Sequence, residues 1–246
     1  MTTFCARDDA AGGATGVDVL VADEARTPDV DVPRLYVAPH ADEFPCQLEL
    51  RIDPLLGVSL VDEQLEDRDV DGTLWQRWAG SRTGPLQMSQ HHPVRQRKCT
   101  EGLWCAVCAG QPDRGPDGML WLLPATPAFA SGWPRDVVTV TPPVCRECAD
   151  RSLAACEVLR RGYVALRVRE SELVGVRGTL YFPSAPPLAD QDVLFTDTRL
   201  RFTVARQYLR VLRDATLDVS TSLRRGRRIT GRSACPSAPR GLGGDR

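Results

Sequence analysis

Apolar and polar positions alternate along Gln47–Ile52, and the alternation resumes over Gly57–Val61 after a break at Asp53-Pro54. A period of two puts every second side chain on one face of a strand, so these two segments predict a β-hairpin. Four further short apolar runs, several of them rich in β-branched residues, have the length of strands. They are Met119–Leu123, Val137–Val140, Tyr163–Arg169 and Leu173–Phe182.

Two segments have helical spacing instead. The apolar residues of Arg146–Arg160 fall on or near one face of a helix, which Gly162 would end. A second helix is predicted within Leu200–Ala215, where apolar residues recur at helical intervals. These residues are Leu200, Val204, Tyr208, Val211, Leu212 and Ala215. Short strands and hairpins combined with two main helices indicate the α+β class.

The two ends of the chain differ in composition from its middle. Residues 1–33 are rich in Asp, Ala, Gly and Thr and predict a flexible acidic arm. Residues 34–220 have the patterning of a single α+β domain, and residues 221–246 predict a disordered Arg-rich tail. Residues 1–60 carry eleven acidic side chains against four arginines, whereas residues 199–246 carry twelve arginines against three aspartates. The asymmetry suits either an anionic partner for the basic end or contact between the two ends.

Four cysteines occur as two C-x2-C pairs separated by thirty-six residues: Cys105, Cys108, Cys145 and Cys148. Two residues between thiolates let both sulfur atoms reach one ion, and two such pairs complete a tetrahedron. The spacing predicts a structural zinc site within a module covering about residues 95–161. Pro142-Pro143 precedes the second pair, which we expect to open the helix predicted from Arg146. A knuckle, a strand pair and a ligand-bearing helix together make up a treble-clef-like or zinc-ribbon-like layout.

Other interpretations of the cysteines stay open. Disulfides and an iron–sulfur or redox site are alternatives, although nine cysteines is an odd number and the compartment is expected to be reducing. Cys99 lies six residues before Cys105 and could compete as a ligand. Cys156 lies too far along the predicted helix from Cys148 to share its ion, and is expected to be a buried core thiol.

Two further patterns suggest chemistry. Asp67-x-Asp69-x-Asp71-Gly72 imitates the start of a calcium loop, but Trp78 stands where the bidentate Glu is needed, so an acidic turn between strands is preferred. A treble clef also scaffolds HNH nucleases, which need histidines and an asparagine around the cysteine pairs. Residues 109–144 contain no histidine and the chain contains no asparagine, so catalysis there is not favoured.

The stretch from Asp67 to about Arg161 resembles a group of uncharacterised actinobacterial proteins of the kind common in Streptomyces. The residues that carry the resemblance are Asp67-Arg68-Asp69 with Gly72, Leu74-Trp75, Arg95-Gln96-Arg97, Cys105-x-Val107-Cys108, Leu120-Trp121-Leu122-Leu123, and Pro142-Pro143 before Cys145-x2-Cys148. The resemblance implies a cytoplasmic zinc-containing protein without an assigned activity.

Together these observations predict a non-enzymatic zinc-binding protein that contacts a protein or a nucleic acid. The basic cluster of the tail is the candidate nucleic-acid contact: Arg224, Arg225, Arg227 and Arg228. Five tryptophans in about sixty residues would suit a protein interface if they are exposed. A degenerate HNH-like nuclease or another enzyme is the alternative. We expect no membrane span, no evident small-molecule substrate and a cytoplasmic location.

Overall fold

The computed structural model describes residues 35–125 and 136–220. The predicted acidic arm, the Arg-rich tail with its four candidate arginines, and most of the predicted loop Pro124–Pro134 lie outside these residues. Within them the chain is mixed α/β, with three helices and mostly strands. No helix in the described ranges is long and apolar enough to cross a membrane.

The elements follow one another in a simple order. The strands are β1 Glu43–Pro45, β2 Leu50–Asp53, β3 Gly57–Leu60, β4 Leu74–Trp75, β5 Trp78–Gly80, β6 Arg114–Gly115, β7 Gly118–Pro124, β8 Val137–Thr139, β9 Tyr163–Phe182, β10 Ala185–Leu194 and β11 Thr203–Leu217. The α-helices are α1 Pro93–Glu101, α2 Arg146–Ala155 and α3 Glu157–Arg161, and two 3-10 turns cover Leu65–Asp67 and Thr198–Phe202.

One sheet of seven strands organises the described chain. Its two long strands, β9 and β11, pair antiparallel along most of their length. On its other edge β9 pairs with β7 and then with β10, while β11 pairs with β8 and, in parallel, with β4. The short strand β6 extends the sheet beyond β7. Two small ribbons, β1 with β5 and β2 with β3, complete the strand pairing.

The β2–β3 ribbon confirms the predicted hairpin. Leu50 pairs with Leu60 and Ile52 with Val58, and the turn lies where Asp53-Pro54 breaks the alternation. The side chain of Asp53 accepts hydrogen bonds from the backbone N–H groups of Leu55 and Leu56, which closes the turn.

The predicted helix within Leu200–Ala215 is wrong, because these residues form a 3-10 turn and then β11. The strand runs through the middle of the sheet, so Tyr208, Leu209, Arg210, Val211 and Leu212 are all buried in succession. Two register shifts, after Ala205 and after Leu209, also interrupt the period of two. A bulged strand buried on both faces therefore places its apolar residues at intervals that imitate a helix.

The bounds of one strand and one helix also differ from the sequence prediction. Tyr163–Arg169 and Leu173–Phe182 are one strand, β9, because β11 pairs with it across the polar segment between them. The helix predicted over Arg146–Arg160 is present but breaks at Cys156, whose extended backbone separates α2 from α3. Gly162 ends α3 as expected.

The largest apolar cluster joins the cysteine region to the sheet. It contains three cysteines together with side chains of β7, β9, α2 and α3, namely Cys99, Cys105, Cys148, Val37, Ala106, Leu120, Leu122, Val144, Ala149, Leu153, Leu159 and Ala165. The cysteine cluster is thus part of the core rather than a separate appendage.

Candidate metal centre

The first cysteine pair lies in a tight loop after α1. The backbone N–H of Cys105 donates to the carbonyl of Gly110 (2.8 Å), and the N–H of Ala109 donates back to the carbonyl of Cys105 (2.8 Å). Ala109 adopts a positive φ of 58°, which turns the chain out of the loop. These bonds curl the backbone so that Cys105 and Cys108 face the same point.

The second pair opens α2, as the sequence predicts. Cys145 is the N-cap residue of this helix, and Cys148 lies in its first turn with a fully buried side chain. The segment before the helix is fixed by two backbone hydrogen bonds, from Ala106 N–H to Pro143 (2.9 Å) and from Val144 N–H to Leu120 (3.0 Å). These bonds tie the second pair to the first loop and to β7.

The four sulfur atoms of Cys105, Cys108, Cys145 and Cys148 lie within 4.8 Å of one another. A tetrahedral site with metal–sulfur bonds of about 2.3 Å has sulfur–sulfur edges of about 3.8 Å. The sulfur atoms of Cys108 and Cys145 are 3.9 Å apart, close to that edge. The four cysteines therefore lie together and could bind one metal ion.

Hydrogen bonds to sulfur favour the charged form of one thiol in particular. The Cys148 thiol donates to the sulfur of Cys105, which lowers the pKa of Cys105 to about 4 and raises the pKa of Cys148. Burial opposes the shift at Cys105, whereas the backbone N–H groups of Cys145, Cys108 and Val107 reinforce it. The N–H of Cys145 lies 3.4 Å from that sulfur. Such donors stabilise metal thiolates as well as free ones.

A cation also lies beside the cluster. The guanidinium of Arg151, one turn after Cys148, donates to the sulfur of Cys148 at 3.1 Å. In the absence of an ion, burial raises the pKa of Cys108 to about 11. Cys105 and Cys148 are buried, Cys145 is partly buried and Cys108 is exposed. A divalent cation supplies the positive charge that four thiolates so close together require. The sequence analysis missed Arg151, although its position three residues after a ligand on a predicted helix is a signal that could have identified it.

Cys99 does not belong to the group of four. Its buried thiol points to the carbonyl of Cys105 (3.8 Å), and burial raises its pKa to about 12. Cys156 is only partly buried, against the expectation of a buried thiol, but it packs on the core cluster. Cys46 is buried, and Cys5 and Cys235 lie outside the described residues.

Comparison of the chain with protein-family models, with curated proteins and with solved structures found no significant match. The actinobacterial resemblance therefore remains a prediction from the quoted residues, and the site has to be interpreted from its own geometry.

An ion-pair network holds the start of α2 against the sheet. Arg146, the residue after Cys145, pairs with Asp113 (3.1 Å) and with the buried Asp218 (2.7 Å). Arg167 of β9 pairs with the same two carboxylates at 2.8 and 3.0 Å. Sequence reasoning missed this network, because its members are separated by as many as 105 positions and none of them belongs to a motif.

The acidic turn has the role that the sequence analysis preferred. The carboxylate of Asp69 accepts hydrogen bonds from the N–H groups of Asp71 (3.1 Å) and Thr73 (2.9 Å), from the indole of Trp75 and from the hydroxyl of Tyr208. Asp67 pairs with Arg77. Two carboxylates of the calcium-like pattern are thus engaged within the fold.

The tryptophans of the described ranges provide only a small exposed aromatic surface. Among the four that lie in the described ranges, Trp75 and Trp121 are buried, Trp78 is partly buried, and Trp104 is 39% exposed. Trp133 lies outside those ranges. Most of the described indoles therefore support the core.

Two histidines before α1 predict a loss of stability on mild acidification. Burial lowers the pKa of His91 and of His92 from 6.5 to about 4, and nearby arginines add to the shift. Because the folded state favours the neutral rings, their contribution is complete above pH 6.5 and is lost as the pH falls through about 4. We expect the free energy of unfolding, measured with urea, to decrease over this window. In the double variant His91→Gln, His92→Gln the free energy of unfolding should depend less on pH over this window. An unchanged pH dependence would mean that the two histidines do not cause the loss.

Proposed function

We propose that Cys105, Cys108, Cys145 and Cys148 hold one structural zinc ion, and that the protein is a non-enzymatic zinc-binding module that contacts another macromolecule. The observation that carries the proposal is the convergence of four thiols, and no other metal-ligating side chain, within 4.8 Å in the described chain. Thiolates are soft ligands that suit zinc, and zinc brings no redox chemistry to a site in the core.

The completeness of the ligand set supports a structural role. Four thiolates fill a tetrahedral coordination sphere, whereas a catalytic zinc keeps one position for water or substrate. The loop of the first cysteine pair comes first, the β6–β7 hairpin second and α2 last, with β8 between the hairpin and α2, and this order of loop, hairpin and helix is that of a treble clef. We propose a treble-clef-like module on this basis, with the large sheet as its support.

The alternative, a degenerate HNH-like nuclease or another enzyme at this site, has less support. None of the three histidines belongs to the group of metal-ligating side chains. His40 bonds the carbonyl of Gly84 (2.8 Å) and His91 bonds the Gln207 side chain (2.9 Å). The ring of His92 packs against that of Trp78 in a tilted arrangement, with the ring centroids 5.0 Å apart. These contacts give each histidine a role in the fold away from the cysteines.

A surface that suits a macromolecular partner lies on the β2–β3 hairpin and the segment that follows it. Four apolar side chains there are largely exposed, namely Leu55 (79%), Leu56 (82%), Leu65 (94%) and Val70 (101%). Five acidic side chains of residues 49–71 are exposed, against one exposed arginine, Arg51, and they are Glu49, Asp53, Asp62, Glu66 and Asp71. An acidic surface with exposed leucines fits a basic, partly apolar partner segment.

Metal analysis tests the zinc proposal. Protein purified without chelators should contain about one zinc per chain, as measured by elemental analysis together with the protein concentration. Iron in place of zinc would favour an iron–sulfur or redox site. The absence of any metal from freshly purified, folded protein would overturn the proposal.

If the macromolecular partner is a nucleic acid, the Arg-rich tail, residues 221–246, is the proposed contact. Affinity for a DNA or RNA duplex should fall steeply with salt if the tail neutralises phosphates. Replacing Arg224, Arg225, Arg227 and Arg228 with glutamine should remove most of this binding, whereas replacing Leu55 and Leu56 with aspartate should not. Equal binding by the tail variant would exclude the tail as the contact.

A further inference from the structure

A cleft of about 510 Å³ lies where the segment before α1 meets β9, β10 and β11. Its lining includes Trp78, His91, Arg177, Asp190, Arg206 and Gln207, none of which belongs to the cysteine cluster. The volume falls in the range of sites for small molecules, which are usually clefts with a few converging polar groups. The chemistry of this lining points to one class of ligand.

A β-bulge brings Arg206 to the cleft. Ala205 pairs with Gly178 and Gln207 pairs with Arg177, so Arg206 is the extra residue in β11. Because Gly178 is a glycine, β9 and β11 can approach closely here. A Cβ atom at this position would lie only 2.2 Å from the carbonyl oxygen of Val204. Bulges that change the direction of a side chain are common next to binding sites.

The partner of Arg206 also lies at an irregular position. Asp190 falls in a register shift of β10 and adopts a positive φ of 56°, a left-handed conformation that aspartate, asparagine and glycine adopt more readily than other residues. Its carboxylate pairs with Arg206, yet its side chain is 73% exposed. An exposed ion pair of this kind is weak. Asp190 therefore holds the Arg206 guanidinium at the cleft without binding it tightly.

Two hydrogen-bond donors of the cleft lining have no acceptor in the described part of the chain. The Nε of Arg206 and the indole Nε1 of Trp78 are buried and have no hydrogen-bond partner among the described residues. The side-chain amide of Gln207 donates to Nδ1 of His91 at 2.9 Å, so the neutral ring carries its proton on Nε2. Buried donors are normally paired, so the two unpaired N–H groups of Trp78 and Arg206 are unusual.

A second arginine adds positive charge at the same place. Arg177 pairs with both oxygens of Asp192, at 2.6 and 2.9 Å, and remains part of the cleft lining. Guanidinium groups bind carboxylate and phosphate oxygens in a fork geometry that few other side chains provide. Trp78 and Val140 supply apolar surface for the remainder of a ligand.

We propose that this cleft binds a small organic anion through a carboxylate or phosphate group, and that Arg206 exchanges its partner Asp190 for that group. The indole N–H of Trp78 and the Nε2–H of His91 are further donors for the anion. Asp190 acts as a competitor in the free protein, so the ligand must displace an exposed carboxylate of the chain itself. This site is independent of the proposed zinc ion, and gives the protein a small-molecule ligand besides any macromolecular partner.

Titration of the full chain with inorganic phosphate and with citrate tests the proposal. The indole N–H resonance of Trp78, identified by its loss in Trp78→Phe, should shift and saturate with at least one probe. Arg206→Gln should weaken the affinity at least tenfold, because the guanidinium is the main contact. Asp190→Asn should strengthen it several-fold, because the competitor is removed. Arg199→Gln is the matched control, since Arg199 forms an exposed ion pair with Asp197 and does not line the cleft.

The response to the two probes distinguishes the two kinds of anion. Saturation by phosphate alone indicates a phosphorylated ligand, and saturation by citrate alone indicates a carboxylate. If neither probe shifts the Trp78 resonance at millimolar concentrations, or if Arg206→Gln binds the probes with wild-type affinity, the proposal is wrong. Should Arg206→Gln fail to fold, Asp190→Asn decides the question, because unchanged or weaker binding by that variant also overturns it.

Discussion

The Cys148→Ser variant is expected to lose its metal and most of its stability. Serine is a poor ligand for zinc, and the Cys148 side chain is fully buried in the largest apolar cluster. Loss of the ion leaves the other three cysteines and the guanidinium of Arg151 close together in a site that the metal no longer cross-links. Loss of a structural metal is among the few changes that lower the free energy of unfolding by more than about 4 kcal/mol.

Two measurements on the same sample check this expectation. Elemental analysis should find about one zinc in the wild type and almost none in Cys148→Ser, and thermal unfolding followed by circular dichroism should shift to a much lower midpoint. Cys156→Ser is the matched control, because Cys156 lies at the α2–α3 break and outside the group of four. A Cys148→Ser protein that keeps its zinc and its midpoint would contradict the proposed ligand set.

The cysteine cluster could be predicted because its geometry is mostly local. Each C-x2-C pair fixes two ligands within one turn of backbone, and the prolines before Cys145 fit a helix start. Only the contact between the two pairs is long-range, and it could be predicted because one tetrahedral ion needs ligands from both pairs. The β2–β3 hairpin was predictable for the same reason, since its pairing and its turn are contained in one short segment.

The strand β11 could not be recognised by its spacing, since its environment determines its pattern. A strand at the edge of a sheet alternates, but β11 has neighbours on both sides and is buried on both faces. Its two bulges then shift the apolar positions out of phase. The sequence of β11 does not show which strands pair with it, so its apolar spacing favoured a helix over a strand.

The quoted segment Arg95-Gln96-Arg97 shows a similar limit. In the fold each residue has a different structural contact. The buried amide of Gln96 bonds both the N–H and the carbonyl of Tyr208, at 2.9 and 3.1 Å, and so holds α1 on β11. Arg97 stacks on Trp75 at 4.0 Å. In the sequence this segment has two arginines and looks like part of a basic surface. Only the fold shows that its side chains contact β4 and β11 instead.

Arg95 has the most consequential of these contacts. Its guanidinium donates to both carboxylate oxygens of Glu43, at 2.7 and 2.6 Å, and to the carbonyl of Ala38. Both side chains are about nine-tenths buried, with exposures of 10% and 8%. The two residues are 52 positions apart, and in the sequence Glu43 is simply one of many acidic residues near the N-terminus. The pair joins the β1–β5 ribbon to α1.

The pair makes stability depend on pH in a defined direction. Burial raises the pKa of Glu43, but hydrogen bonds from Arg95 and from the N–H of His40 outweigh it and lower the pKa from 4.5 to about 2. A carboxyl whose pKa is lower in the folded state stabilises the fold when it is charged. Its contribution is therefore complete above pH 4.5 and is lost as the pH falls through about 2.

Replacement of Glu43 with glutamine should accordingly be one of the most damaging substitutions outside the cysteine cluster. It keeps the shape but leaves the buried guanidinium of Arg95 without a counter-charge, which lowers the free energy of unfolding by about 3–5 kcal/mol. Urea denaturation at neutral pH measures this decrease. Glu172→Gln is the control, because Glu172 pairs with Arg213 at an exposed position. Removing that exposed pair should change the free energy of unfolding by less than about 1 kcal/mol. The difference between wild type and Glu43→Gln should narrow as the pH falls from 4.5 toward 2, because the wild-type carboxyl then becomes neutral as well. A difference that stays constant over that range would mean that packing, and not the charge of Glu43, holds the β1–β5 ribbon against α1.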